Sequence, residues 1–176
     1  MEANDLTASN EPASGPRSPW KTRYFLDTEF TDFTDSQCDF KHGQLISVGI
    51  VGEDGCEFYG ELLDYDRAAC NDFVCHVVLP QLGQHPGRAM PFAQLRSELL
   101  AWLYRVPKKP KPVLSYDYEG DIDLILDLIG GKLPPGWKHE NVFQRIDGER
   151  LETYFREHGG RHHALHDARA NRYAFV

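Results

Sequence analysis

Asp27 and Glu29 stand two residues apart at the end of the run Tyr24-Phe25-Leu26-Asp27-Thr28-Glu29, where aromatic and aliphatic residues lead into carboxylates. The run reads as a strand over Arg23 to Glu29, and a strand repeats every two residues, so both carboxylates face the same side of a sheet. Held side by side they repel, and they need a cation, a shared proton or open solvent. The chemistry this suits is a site for a hard divalent metal, magnesium or manganese, which prefer oxygen ligands. A solvated strand edge with two acids is the alternative.

Two further stretches carry residues of this kind. Ser115-Tyr-Asp-Tyr-Glu-Gly-Asp121-Ile-Asp123 places acids between a strand and a helix. Asp121 falls near the helix N-terminus, where a carboxylate either caps free N–H groups or serves a metal; Asp117, Glu119 and Asp123 compete with it. Arg161-His162-His163-Ala164-Leu165-His166-Asp167 packs three histidines and an acid into a loop-to-helix transition. An Asp on the first turn of that helix suits a metal, and a neutral histidine on the loop before it suits a general base. A polar helix start with exposed histidines is the plain alternative. A histidine-only metal site is a poorer fit, because consecutive histidines point in different directions.

The elements that must position these groups follow from periodicity. Arg23–Glu29, Leu45–Gly52 and Cys56–Leu62 read as three strands of an antiparallel meander, with Glu53-Asp54-Gly55 as a tight turn. Asn71–Leu82 and Pro91–Tyr104 carry apolar residues at helical spacing, and Pro91 suits a first helical position. A proline-broken basic loop (Arg105, Lys108, Lys109 and Lys111) leads to a strand over Val113–Tyr116. Helices follow over Asp121–Ile129, ended by Gly130-Gly131, over Glu149–His158 and over Ala164–Phe175, with a last strand over Asn141–Ile146. A meander followed by alternating strands and helices predicts an α/β fold: a mixed sheet, parallel in its second half, flanked by helices.

Composition bounds the class. The 176 residues suit one compact domain, with 41% hydrophobic content for a core. Residues 1–19, rich in Ser, Pro, Gly, Asn and Ala, read as a disordered tail ahead of a domain over 20–176. No apolar run reaches a membrane span and no signal segment is read, so a cytoplasmic protein with no membrane partner is expected. Cys38, Cys56, Cys70 and Cys75 lack paired zinc spacing and read as reduced, mostly structural thiols. A formal net charge of −8 speaks against coating long nucleic acid by counterion release, and not against recognition of a strand end at a metal-holding acidic site.

Asp27-Thr28-Glu29, then Asp121, then His162-x-Ala164-x-x-Asp167-Ala168 resemble the three exonuclease motifs of the DEDDh family of 3′→5′ exonucleases. Asp27-Thr-Glu-Phe30 with Leu45-Ile-Ser-Val-Gly-Ile-Val51 is most similar to the small bacterial exoribonucleases of that family. The second motif departs from the family pattern, with Asp117 in place of the usual Asn and Gly120 in place of the usual Phe; Leu124 and Ile125 support Asp121, with Asp123 as the competitor. The resemblance implies a ribonuclease-H-like fold. It implies hydrolysis from the 3′ end of single-stranded RNA, with two magnesium or manganese ions held by Asp27, Glu29, Asp121 and Asp167, and His162 as general base. It further implies apolar contacts to the terminal bases from Phe30 and Phe33, with Tyr118 a further candidate, and a homodimer. An exonuclease acting on DNA, a non-catalytic nucleic-acid-binding module on the same fold and a histidine-rich metal-binding protein are the competing readings.

Overall fold

The structure is a computed structural model that describes residues 18, 20–32 and 43–176. The expected tail, apart from Ser18, lies outside the described residues, as do Phe33 and Cys38. Six strands form one sheet: β1 (Lys21–Phe30), β2 (Leu45–Gly52), β3 (Glu57–Leu62), β4 (Ala89–Met90), β5 (Lys111–Tyr116) and β6 (Lys138–Asn141), in the order β4-β3-β2-β1-β5-β6. β1, β2 and β3 pair antiparallel as the meander requires, while β5 pairs parallel to β1 and β6 parallel to β5. The two-residue β4, parallel to β3, was not anticipated. Four α-helices complete the set: α1 (Phe92–Arg105), α2 (Glu119–Ile129), α3 (Gly148–His158) and α4 (Ala164–Ala174).

The alternation along β1 assigns the layers. Tyr24 and Leu26 turn to one face, where they join Leu95, Leu99 and Leu103 of α1 and Ile125 and Leu128 of α2 in the largest apolar cluster. Each fully buried leucine there contributes roughly 1.5–3 kcal/mol through area removed from water. Phe25 turns to the opposite face, against Val142 and Phe175. α4 covers that face through Ala164, Leu165 and Ala168, packed on Val51 and Tyr59. The eight residues of β2 are all buried, as expected of a strand covered on both faces. Gly49 makes the close approach possible: a Cβ there would lie 2.3 Å from the Ala164 carbonyl oxygen. α3 packs on the outer side of α4, with Tyr154 against Tyr173 at 5.6 Å.

Several sequence expectations need correction. The last strand is β6 and lies earlier than Asn141–Ile146, because the Asn141 side chain accepts the Phe143 N–H at 2.9 Å and turns the chain into a 3₁₀ turn over Phe143–Arg145. Ile146 keeps only an isolated bridge to Phe175. The segment expected as a helix over Asn71–Leu82 is helical but not regular: Val74–Val78 is a π turn and Leu79–Gln81 a 3₁₀ turn. Pro80 supplies the reason, since it has no N–H to send to the His76 carbonyl and its ring crowds that oxygen. Pro91 is the N-cap of α1, one residue before its first helical position. Cys56 and Cys75 are exposed, so they are not core thiols; Cys56, Cys70 and Cys75 are free. Among the described residues no helix is long and apolar enough to cross a membrane.

Candidate active site

The parallel pairing of β1 with β5 sets the C-terminal ends of both strands side by side, with Phe25 opposite Ser115. The last residues of β1 therefore meet the segment that leaves β5 for α2. Asp27 and Glu29 lie on the face that α4 covers, and Asp167 on the first turn of α4 joins them. Carboxylate oxygens of Asp27, Glu29 and Asp167 lie within 4.8 Å of one another, and so do those of Asp27, Asp117 and Asp121. Asp27 is common to both groups. Two unit charges 4.8 Å apart repel by about 3–4 kcal/mol at an effective dielectric constant of ~20, so five such acids do not ionise together without a counter-charge.

Hydrogen bonds fix the cluster without neutralising it. Thr28, on the opposite face of β1 from its acidic neighbours, donates its N–H (3.2 Å) and its hydroxyl (2.7 Å) to Asp121 Oδ1. Asn171 of α4 donates to Asp117 Oδ1 at 3.0 Å. The His162 N–H donates to Asp167 Oδ2 at 2.9 Å, while Asp167 Oδ1 is buried without a hydrogen-bond partner. Among the described residues none of these five acids has a salt-bridge partner; Arg161 pairs with Glu152, and Arg169, two residues after Asp167, pairs with Glu57.

The electrostatic consequence is uniform in sign. Burial, then the charges of Asp167, Asp121, Glu29 and Asp117, holds the Asp27 carboxyl well above the usual carboxylate range. Burial, the charges of Asp167 and Asp121 and a hydrogen bond with Asp167 push Glu29 up to about 9. Asp121 is also raised well above its usual range by burial, against the two Thr28 hydrogen bonds that oppose it. Asp167 is raised to about 7 by burial, against the N–H of His162 and the charge of Arg161. Burial raises Asp117 as well, with Asn171 opposing. A donor set of carboxylate oxygens, including one buried oxygen with no partner, fits a hard divalent cation such as magnesium or manganese; among the described residues no thiolate belongs to it.

These acids floor a cleft of ≈ 300 Å³ whose walls include Phe30, Phe73, Tyr118 and His162. Phe30 stacks on Tyr118, with ring centroids 6.1 Å apart at 19°. The Tyr118 ring lies over Gly120, where a Cβ would come within 2.2 Å of it. A larger side chain at position 120 would therefore meet the Tyr118 ring where it now lies. His162 faces the cleft from the loop before α4, its ring edge-on to Phe73 at 4.9 Å. Burial, then the Arg161 charge, lowers the His162 pKa below its usual value.

Asp27, Glu29, Asp121, His162, Asp167, Phe30 and Tyr118 thus come together, whereas Phe33 lies outside the described residues. Asp121 is 2% exposed and belongs to the cluster, while Asp123 sits on the exposed side of α2. His163 and His166 turn away: His163 is buried, stacked on Tyr59 at 4.8 Å, with His166 edge-on to it. Sequence reasoning weighed Asp117 only as a rival of Asp121, yet both join the cluster. Thr28, known from the sequence only as the middle of the first motif, Phe73 and Asn171 also join the site, and no local signal marks their parts in it.

No protein-family model matches the chain. Two curated proteins named 3′-5′ exoribonuclease, from two strains of Mycobacterium tuberculosis, are each 40% identical to it over 60 residues. That match spans 34% of this chain and 32% of each relative. Among solved structures, the chain is similar to Exonuclease I in its apo form, with a TM-score of 0.53 and 13% identity over 86% of this chain and 40% of that one. At such identity the likeness speaks to the fold alone, and the fold is ribonuclease-H-like.

Proposed function

We propose that the chain is a metal-dependent 3′→5′ exonuclease acting on single-stranded RNA. The observation that carries this reading is the convergence of five half-buried or buried carboxyls, without a salt-bridge partner among the described residues, and a half-buried histidine in one aromatic-walled cleft. Asp27, Glu29 and Asp167 would hold one divalent ion, and Asp27 with Asp121 and Asp117 a second. Such a pair, when bound, lowers the pKa of a water and offsets charge on the leaving 3′ oxygen. His162, kept neutral near pH 7 by its burial, takes the proton of the attacking water. Asp167 also anchors the His162 backbone, so one residue serves both parts of the site. Phe30, Tyr118 and Phe73 offer faces for terminal bases, where stacking is worth roughly 1–3 kcal/mol per base and tolerates any sequence.

The choice of RNA rests on the printed names of the two mycobacterial relatives, matched over a third of their length. The acid cluster disfavours a non-catalytic binding module, which would carry mutually repelling buried acids to no purpose. The test is digestion of 5′-labelled single-stranded RNA, and matched DNA, with magnesium, manganese or EDTA. A metal-dependent ladder shortening from the 3′ end is expected, with RNA the better substrate. Intact strands with folded protein and both metals would end the nuclease reading, and faster shortening of DNA would end the choice of RNA.

A further inference from the structure

The loop that carries His162 is held in an unusual backbone conformation. Gly159, Gly160 and His162 all have positive φ, at 66°, 77° and 65°. Glycine adopts such values freely, but for histidine the left-handed region is strained and persists only where the surroundings over-determine it. One restraint is already described: the His162 N–H is tied to Asp167 Oδ2. The other end of the residue is tied by Gln81. Its side-chain Nε2 lies within hydrogen-bonding distance of the His162 carbonyl at 2.9 Å, the Arg161 carbonyl at 2.7 Å and the Val77 carbonyl at 3.1 Å, which share its two hydrogens. Three carbonyl oxygens around one amide nitrogen leave no doubt about which way the amide faces, since its oxygen would be repelled there.

Gln81 ends the helical arm 72–81, and that arm spans the cleft. At its start the Asn71 side chain donates to Asp32 Oδ1 at 2.8 Å and accepts the Val74 N–H at 2.9 Å, which ties the arm to the end of β1. Its middle supplies Phe73, edge-on to the His162 ring, and Val74 and Val78 to the cleft wall. The base-bearing loop therefore rests on the arm at two points: the ring on Phe73 and the backbone on Gln81. We infer that Gln81 is a positioning residue, which holds the strained His162 loop to the arm so that the imidazole stays over the acid cluster. This rests on the reading of His162 as general base. Misplacing a catalytic group by about 1 Å costs on the order of 100-fold in rate, so a clamp of this kind acts on turnover and not on binding.

Three substitutions separate the clamp from general packing. Gln81→Met keeps the length and removes the donor, Gln81→Glu places an acceptor against the carbonyls, and Gln81→Lys keeps a donor. Each is checked for folding by circular dichroism. Expected are a kcat lower by about 10–100-fold in Gln81→Met with KM unchanged, a larger loss in Gln81→Glu, and recovery of most of the rate in Gln81→Lys. Amide hydrogen exchange over 161–163 should rise in the first two and stay near wild type in the third. Wild-type kcat in Gln81→Met, a loss that Gln81→Lys does not recover, or unchanged exchange in Gln81→Met overturns the inference. If the wild-type protein shortens no strand, the nuclease reading fails on its own, and hydrogen exchange still decides whether Gln81 holds the loop. If the wild type is active and His162→Ala slows it while Gln81→Met does not, only the clamp fails.

Discussion

The two ends of β1 treat buried acids in opposite ways. Near its start, Arg23 pairs with Glu53 at 3.3 Å and with Glu140 at 2.8 Å, and Lys21 pairs with Glu140 at 2.6 Å. Glu53 also accepts the Arg23 backbone N–H at 2.7 Å. Burial pushes the Glu140 carboxyl up, yet its bond with Lys21 and the charges of Lys21 and Arg23 outweigh this and hold it below its usual range. Near its end, Asp27 and Glu29 meet three more acids with no salt-bridge partner among the described residues, and every carboxyl is raised. At one end the strand's own cations neutralise acids of neighbouring segments; at the other its own acids find no salt-bridge partner among the described residues. The first arrangement is complete within the chain; the second is the one that, on the function proposed above, a divalent cation would complete.

The largest effect that would sharpen this contrast is on catalysis. Asp27→Ala is expected to reduce strand shortening to the level seen in EDTA, while the metal-free variant is at least as stable as wild type at pH 8, because repulsion and not packing is removed. An urea titration beside the digestion checks both; a variant that keeps its activity, or that is clearly less stable, breaks the contrast.

At the other end the sign reverses. Arg23→Met should cost about 3–5 kcal/mol by chemical denaturation, because it leaves the buried Glu53 carboxylate without its cation. A loss below about 1 kcal/mol, typical of exposed pairs, would show that this end is not the self-sufficient one.

Next in size is the dependence on pH and metal. Carboxyls raised in the folded state contribute stability that is fully present below their unfolded values near pH 4 and is lost as pH rises through the folded ones. Those lie at about 7 for Asp167 and about 9 for Glu29. This component of the metal-free protein's stability should therefore fall between pH 5 and pH 9. Manganese at 100 times its pH 8 dissociation constant should restore about 2.7 kcal/mol per ion at pH 8, and the same concentration less at pH 5, where protons compete. Melting curves at the two pH values, with and without manganese, decide it; equal shifts at both would argue that the acids do not take up the ion. The smallest effect is expected for Lys21→Met, about 0–1 kcal/mol by the same denaturation, since that pair is partly exposed.

Much of this arrangement was legible before any coordinates. β2 coincides with the strand read over Leu45–Gly52, and α4 begins at Ala164 as expected, because segments rich in β-branched residues and loop-to-helix transitions are local signals. The pairing of Asp27 with Glu29 follows from the period of a strand. What could not be read depends on neighbours distant in sequence. Asp117 counts because α4 brings Asn171 against it, and Phe73 and Gln81 because an arm with a π turn happens to cross to the His162 loop. His162 and His163 are adjacent and chemically alike, and only the positive φ at His162 turns one to the cleft and leaves the other under Tyr59. Gly49 reads as an ordinary weak point in a strand, yet it sets how closely α4, with Asp167, approaches the sheet.

The central claim is that the acid cluster at the end of β1 is completed by divalent cations, and titration calorimetry with manganese at pH 8, on the wild-type protein and on Asp27→Ala, tests it most directly. The account predicts saturable binding of a pair of ions by the wild type and loss of that binding in the variant, since Asp27 belongs to both carboxylate groups. A folded wild-type protein that takes up no manganese, or a variant that binds it as the wild type does, would contradict it.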